Sequence, residues 1–265
     1  MVARLPLAAC CAALLLAPAA RAADKDYGDA TGRFVLKGDA PDLPPRVKQG
    51  AAVTEDGKKV NDPEVCAADA IPDYSLVVGE DGGVANVFLY PLRPIKGTKP
   101  ELEKAPQDPV VFDQKGCVFQ PHCLVVRAGQ PISLQSQDAV AHNVRFSGLK
   151  NRGSAINLTV PANTEEGIKK TFDKGEPVPM PAFCDFHPWM KAHWLIAESP
   201  YAVLSDADGK FTIEDLPPGK HSFAAWHESA GGFLDRRITI TVKANETTDL
   251  GDLEYEKKDF KDLED

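Results

Sequence analysis

The amino-acid sequence predicts an all-β protein. Short runs rich in β-branched and aromatic residues recur along the chain, and no segment has the spacing of a long amphipathic helix. Many of the 22 prolines and 20 glycines lie between these runs, where they punctuate turns. Short strands divided by such turns are typical of β-sandwiches and barrels. The predicted strands are 32–37, 74–78, 83–89, 124–127, 132–136, 143–146, 210–213, 221–226 and 237–242.

The first 22 residues predict a secretory signal peptide. Arg4 gives a short basic start, residues 5–20 are apolar, and the small residues Ala20 and Ala22 flank Arg21 as at a cleavage site. The apolar stretch is too short and too interrupted by proline to span a membrane as a helix. We therefore expect export to the periplasm without membrane insertion; a buried N-terminal helix is the less favoured interpretation.

The charge balance of the chain excludes one class of partner. The sequence has 30 basic and 39 acidic residues, a net charge of −9, and removal of the leader with Arg4 and Arg21 makes this −11. A negative charge of this size disfavours binding to nucleic acid or to anionic lipid. We expect neither as a partner.

Two distant parts of the chain predict a discontinuous β-sandwich. Residues 206–211 followed by Leu216-Pro217-Pro218-Gly219 resemble the hairpin and Pro-Gly turn of carboxypeptidase-regulatory-like (transthyretin-like) sandwiches. The strands that precede this hairpin in such domains match 32–37 and 83–89, more than a hundred residues upstream. The predicted organisation is therefore a sandwich, residues 25–97 plus 200–257, a second domain inserted at 107–199, and a charged tail, 258–265, with little to bury.

The inserted domain contains a cluster of metal-binding residue types. Cys184, His187 and Met190 have the spacing Cys-x2-His-x2-Met, which lets a tight loop bring a thiolate, an imidazole and a thioether to one ion. His142 supplies a second imidazole from a predicted strand. Two histidines, one cysteine and a weak methionine form the ligand set of a blue copper site. Zinc is disfavoured, because a thioether is a poor zinc ligand and the sequence has no Cys-x2-Cys partner.

This loop, with the upstream His-Asn-Val at residues 142–144, resembles the cupredoxin (blue copper) family, and its spacing is closest to that of the amicyanins. The whole chain is similar to proteins labelled methylamine-utilisation-like or plastocyanin-like. The resemblance implies a Greek-key cupredoxin β-sandwich or barrel inserted in the transthyretin-like sandwich, and one type 1 copper per chain. It also implies that Asn143 braces the Cys184 sulfur by a hydrogen bond. The implied ligands are His142, Cys184, His187 and Met190.

Four cysteines follow the leader, and an oxidising compartment favours pairing them. Because Cys184 suits a metal better, three remain. We predict a disulfide between Cys66 and Cys117 and a buried thiol at Cys123, which lies in an apolar strand. Pairing of Cys117 with Cys123 is the alternative.

The predicted function is that of a periplasmic electron carrier and not of an enzyme, since one type 1 site stores one electron. The expected partner is a redox protein such as a c-type cytochrome or a dehydrogenase. By resemblance, His187 exposes one imidazole edge, and Met180 and Trp189 beside it are candidate docking residues. The alternatives are a copper-dependent oxidoreductase with a second metal site from His122, His193 and His227, and a cell-envelope binding module with a structural cupredoxin domain.

Overall fold

A computed structural model describes residues 27–260, so the predicted signal peptide and the end of the charged tail lie outside the described residues. The described chain is almost entirely β, as predicted, and its strands form four sheets. The strands are β1 Gly28–Leu36, β2 Phe88–Pro91, β3 Val110–Gln114, β4 Phe119–Gln120, β5 Cys123–Arg127, β6 Pro131–Ser136, β7 His142–Phe146, β8 Ile156–Val160, β9 Thr164–Thr171, β10 Met180–Phe183, β11 Lys191–Ala197, β12 Val203–Leu204, β13 Lys210–Leu216, β14 Gly219–His227, β15 Gly232–Val242 and β16 Thr247–Tyr255. Two one-turn helices accompany them, α1 Pro63–Cys66 and α2 Pro100–Glu103.

The first pair of sheets combines both ends of the described chain. One sheet has the strand order β13-β1-β16, and the other has the order β12-β2-β14-β15. Strand β1 runs antiparallel to β13 and parallel to β16, while β2 runs antiparallel to β14. Between the two sheets lies one hydrophobic core, whose largest buried members include Phe34, Leu89, Tyr201, Phe211 and Phe223. We call this part of the molecule the sandwich unit.

The second pair of sheets comes from the middle of the chain. Its sheets have the orders β5-β11-β10-β7-β8 and β4-β3-β6-β9. Their facing side chains form a separate core around Phe112, Phe146 and Trp194, with ring centroids 4.7 Å and 4.9 Å from Trp194 to the two phenylalanines. We call this part the inserted unit, because β2 and β12, which pair with each other, flank it in sequence.

The segment 47–71 differs from the predicted organisation. Although it falls in the range 25–97 assigned to the sandwich, Val47, Val60 and Ile71 are buried in the core of the inserted unit. The segment has isolated bridges and the short helix α1 instead of regular strands, and Cys66 links it to the inserted unit. It forms a cover over one end of that unit, and we call it the cover segment. The strand predicted at 74–78 is also absent from the described structure, since these residues form bends and one bridge.

The two units contact each other through a small apolar layer. Cys123, Leu195 and Ala197 on the inserted unit are buried in one cluster with Phe88 and Trp226 on the sandwich unit. Strands β5 and β11 therefore have one face toward their own core and one toward the sandwich. Among residues 27–260, no helix has the length and apolar character needed to cross a membrane.

The range predicted as a charged tail contains a buried residue. Residues Lys257–Asp259 form a 3-10 turn that places Phe260 in the core of the sandwich unit, where it is fully buried. The expectation of a tail with little to bury was therefore wrong at Phe260, because one aromatic side chain among the charges anchors it.

Candidate metal centre

The loop 184–190 connects two antiparallel neighbours, β10 and β11. The backbone N–H of Cys184 donates to the carbonyl of Met190 over 3.2 Å, and the N–H of Met190 donates to the carbonyl of His187 over 2.9 Å. These bonds close the loop, so that the residues at its two ends face each other across one turn. The side chains of Cys184, His187 and Met190 are all buried.

His142 joins this loop from β7, which pairs with β10. Its Nδ1 lies 2.9 Å from Nδ1 of His187, and the Cys184 sulfur lies 3.7 Å from the same His187 atom. The ligand atoms of the three residues all lie within 4.8 Å of one another. Met190 is 1% exposed and belongs to the same hydrophobic cluster as Cys184. The four side chains predicted as ligands thus share one end of the inserted unit.

Asn143 holds the cysteine sulfur from a second direction. Its backbone N–H donates to Sγ of Cys184 over 3.5 Å, and its Oδ1 lies 3.4 Å from the same sulfur. The same Oδ1 accepts a hydrogen bond of 2.6 Å from the backbone N–H of Asp185. Asn143 therefore contacts both the sulfur and the backbone at the start of the loop.

The surroundings of Cys184 favour its thiolate form. Burial raises the pKa of this thiol, but hydrogen bonds from His142, His187 and the backbone N–H of Asn143 outweigh burial and lower the pKa to about 6. The thiolate is the form of cysteine that binds metals, so the site is prepared for a cation at neutral pH.

Asp138 orients the imidazole of His142. His142 Nε2 donates to Asp138 Oδ2 over 2.8 Å, which directs the opposite nitrogen, Nδ1, toward the sulfur. The carboxylate also accepts backbone N–H groups of Gly116 and Cys117 over 2.6 and 2.8 Å. Burial raises the pKa of Asp138, but these hydrogen bonds outweigh it and the pKa is lowered. Asp138 lies four residues before His142, and this spacing is the one signal in the sequence for the contact.

Asp62 of the cover segment contacts the imidazole of His187 in the way that Asp138 contacts that of His142. Its Oδ2 lies 3.1 Å from His187 Nε2, on the side of the ring away from Cys184. His187 is 0% exposed, so the expected solvent-facing imidazole edge was wrong. The reason is the cover segment, which lies over the edge that was expected to face solvent.

The candidate docking residues are less exposed than expected. Met180 and Trp189 are both half-buried, and Trp189 donates from its indole Nε1 to the carbonyl of Cys117 over 3.0 Å. Phe186 is the large apolar side chain of the loop that reaches the surface, with 40% of it exposed.

The cysteine predictions agree with the structure. Cys66 and Cys117 form a disulfide with Cα atoms 5.2 Å apart, and Cys123 is a free, buried thiol. The disulfide lies against the metal centre, since its sulfurs are within 4.8 Å of a His187 ring nitrogen.

The remaining histidines form a second group only in part. His122 and His193 come together with Cys123 and with Glu228, a residue that sequence reasoning missed. His227 does not join them, because its ring is buried against Phe260 with centroids 5.6 Å apart. The predicted trio of His122, His193 and His227 is therefore not a single site.

The donor set at residues 142, 184, 187 and 190 fits copper. Two imidazole nitrogens and a thiolate suit both oxidation states of copper, and a thioether is a soft ligand that zinc rarely takes. The burial of all four side chains matches a closed site that is oriented before the ion arrives.

Comparison with solved structures returns cupredoxins over part of the chain. An oxidized amicyanin variant is 20% identical over 34% of this chain and 82% of its own, with a TM-score of 0.30. A purple cupredoxin from Nitrosopumilus maritimus is 18% identical over 33% of this chain and 99% of its own, with a TM-score of 0.26. The copper-containing nitrite reductase of Thermus scotoductus is 20% identical over 41% of this chain and 27% of its own, with a TM-score of 0.29. No family model and no curated protein matches the chain.

Replacing Asp138 by asparagine should weaken copper binding by about 10- to 100-fold, the usual effect of losing a hydrogen-bond partner behind a metal-bound histidine. The asparagine amide can donate from its NH2 group to Nε2 of His142. The imidazole is then no longer held in the tautomer that carries its proton on Nε2 and leaves Nδ1 available for the metal. Competition with a copper chelator measures the affinity. The matched control is Asp113→Asn, a buried carboxylate of the same unit that bonds Gln137 and the backbone of Gln114. Equal affinities in the two variants would contradict the orienting role of Asp138.

Proposed function

We propose that this protein is a periplasmic type 1 copper protein that carries single electrons between redox partners. The observation that carries the proposal is the buried cluster of His142, Cys184 and His187, with ligand atoms within 4.8 Å of one another and Met190 in the same closed loop. A copper ion held there supplies a one-electron couple. His142, Cys184, His187 and Met190 are the proposed ligands.

The protein side chains contribute binding, orientation and exclusion of water. Cys184 provides a thiolate, and the backbone N–H of Asn143 donates to its sulfur and keeps it in place. The carboxylates of Asp138 and Asp62 bind the far nitrogens of the two imidazoles, so both rings present Nδ1 to the centre. The donors are buried, which keeps solvent from the ion.

The same arrangement supports a carrier over an enzyme. With His142, Cys184, His187 and Met190 as its ligands, the copper ion would have no position open for a substrate. A catalytic copper or zinc site keeps such a position for water or substrate. The proposed role needs only electron entry and exit.

Loading the exported protein with Cu2+ tests the proposal. We expect one copper per chain at this centre, an intense visible absorption from the thiolate-to-copper transition, and loss of that colour after addition of one electron equivalent. Turnover of oxygen or nitrite by the loaded protein would favour an oxidoreductase, and a colourless protein would favour a binding module.

The proposed partner is a redox protein that docks at the loop 184–190. Phe186 and Pro188 are both exposed there, and contiguous apolar surface marks interaction sites on soluble proteins. The net charge of −11 after leader removal favours a basic partner, such as a c-type cytochrome, and an association rate that falls with salt.

Replacing Phe186 by lysine should slow electron transfer to such a cytochrome by about tenfold, a loss of about 1.4 kcal/mol. The new positive charge and the lost apolar contact both oppose docking of a basic surface. Stopped-flow reduction kinetics measure the rate, and the visible spectrum should not change. The matched control is Leu149→Lys, since Leu149 is an exposed apolar residue too, at 47% against 40% for Phe186, but follows the far end of β7. Equal rates in both variants would place the docking surface elsewhere.

A further inference from the structure

A second group of metal-binding side chains lies where the inserted unit meets the sandwich unit. Cys123 and His193 are opposite each other in the parallel pairing of β5 with β11, and the N–H of His193 donates to the carbonyl of His122 over 2.9 Å. The backbone therefore fixes three of the residues side by side. The fourth, Glu228, follows β14 of the sandwich unit.

The four side chains converge on one point. Their ligand atoms, one imidazole nitrogen each from His122 and His193, the sulfur of Cys123 and a carboxylate oxygen of Glu228, all lie within 4.8 Å of one another. Cys123 is 3% and His193 is 4% exposed. His122 Nε2 contacts Glu228 Oε1, and Lys191 Nζ lies 3.2 Å from the other carboxylate oxygen. No residue of this group belongs to the copper centre.

One atom of the group lacks a hydrogen bond. Nδ1 of His193 is buried, lies 3.5 Å from Glu228 Oε2 without hydrogen-bond geometry, and has no other hydrogen-bond partner among the described residues. A buried polar atom without a partner is unfavourable and calls for a ligand. The thiol of Cys123 does not serve as this partner, because a thiol is only a weak hydrogen-bond donor and acceptor.

We propose that His122, Cys123, His193 and Glu228 bind a divalent zinc ion that fastens the inserted unit to the sandwich unit. Two imidazoles, a thiolate and a carboxylate are four donors of the types that Zn2+ takes in tetrahedral sites. These four side chains would fill all four ligand positions of a tetrahedral zinc site, and none of them is a thioether. The site would therefore be structural, with no position open for water or substrate. Binding displaces the thiol proton of Cys123 to solvent and satisfies Nδ1 of His193.

The ionised carboxylate of Glu228 gives the group a negative charge that attracts a cation. Burial raises the pKa of Cys123 well above its ordinary value, and the nearby Glu228 carboxylate adds to this effect, so the thiol retains its proton until a metal replaces it. Burial also raises the pKa of Glu228, but the adjacent imidazoles outweigh burial and keep it ionised. The side chain of His122 is 14% exposed and that of Lys191 is 43% exposed, which leaves an entry path from solvent.

The test uses the full chain carrying Cys184→Ser, which disables the copper centre and leaves Cys123 as the free thiol among the described residues. We expect this variant to bind one equivalent of Zn2+ in a chelator competition, with a higher unfolding temperature when zinc is present. Co2+ in place of zinc should give the visible absorption of a tetrahedral site together with a thiolate-to-metal band. Because the proposed copper centre is disabled here, failure of this test is separate from failure of the copper proposal.

Adding Cys123→Ser or His193→Gln to the Cys184→Ser chain should remove the thiolate band or weaken zinc binding at least about 100-fold. The matched control is His221→Gln, a sandwich histidine outside the group whose ring bonds the carbonyl of Pro217. Circular dichroism checks that each variant folds. The proposal is overturned if the Cys184→Ser chain is folded but binds no Zn2+ and shows no cobalt–thiolate band. The group is then only an ion pair between Glu228 and its neighbours. Zinc binding that persists unchanged in the Cys123→Ser and His193→Gln variants would also overturn it.

Discussion

Replacing Cys184 by serine should abolish the visible colour of the copper-loaded protein. The absorption comes from charge transfer between a thiolate sulfur and Cu(II), and a hydroxyl oxygen does not supply that donor. Serine is also close to cysteine in size, so the buried loop with its bonds to Asn143 should still close. Absorption spectra of both proteins after the same copper loading measure the effect, which we expect to be complete loss of the band.

The structure offers a matched control for this change. Cys123→Ser alters the other free, buried cysteine in the same unit, which is not part of the copper centre. This variant should keep the colour of the unaltered protein. A Cys184→Ser protein that stays blue, or a Cys123→Ser protein that turns colourless, would show that the ligand assignment is wrong.

Removing the disulfide should lower the free energy of unfolding by about 4 kcal/mol in the chain-entropy model, within the usual range of about 2–4 kcal/mol for such bonds. The bond joins Cys66 to Cys117, which are 51 residues apart in sequence, and the unfolded chain gains the freedom of that loop when both are replaced by alanine. Urea titration followed by circular dichroism measures the change.

The same double variant should loosen the cover over the metal centre. Cys66 lies at the end of α1, four residues after Asp62, so the lost bond releases the part of the cover segment that contacts His187. We expect faster loss of copper to a chelator as well as lower stability. Cys123→Ala, compared in the metal-free proteins, is the control, because without zinc it only removes one buried sulfur and opens no disulfide. A double variant as stable as this control would contradict the proposed contribution of the bond.

The sequence predicts those parts of the site and fold whose residues lie close together along the chain. Cys184, His187 and Met190 lie within seven residues, so a single loop fixes their proximity whatever surrounds it. Strands with clear apolar runs, such as β5 and β6, were placed to within a residue or two. In contrast, the contact of Asp62 with His187 spans 125 residues, and no local pattern indicates it.

The assignment of residues 47–71 and the exposure of His187 were wrong for one physical reason. The cover segment has scattered apolar residues and isolated bridges, so it has no periodicity that assigns it to either unit. Its packing is decided by the fit of Val47, Val60 and Ile71 to a core built elsewhere and by the Cys66 bond. The exposure predicted for His187 was wrong for the same reason, because the cover segment lies over that ring. Glu228 was missed because only the contact between the two units brings it to His122 and Cys123.

The two carboxylates behind the imidazoles have a consequence for the speed of electron exchange. His142 is bound through Asp138 to the backbone of Gly116 and Cys117, and His187 is bound to Asp62. Each ring is thus fixed on the side opposite the ion, and the Cys184 sulfur is fixed by Asn143. Ligands held from outside move little when the charge at the centre changes by one unit. If the proposed copper is held there, the reorganisation energy of the site would be small, and the distance to the proposed partner across the cover segment would govern the rate of electron exchange.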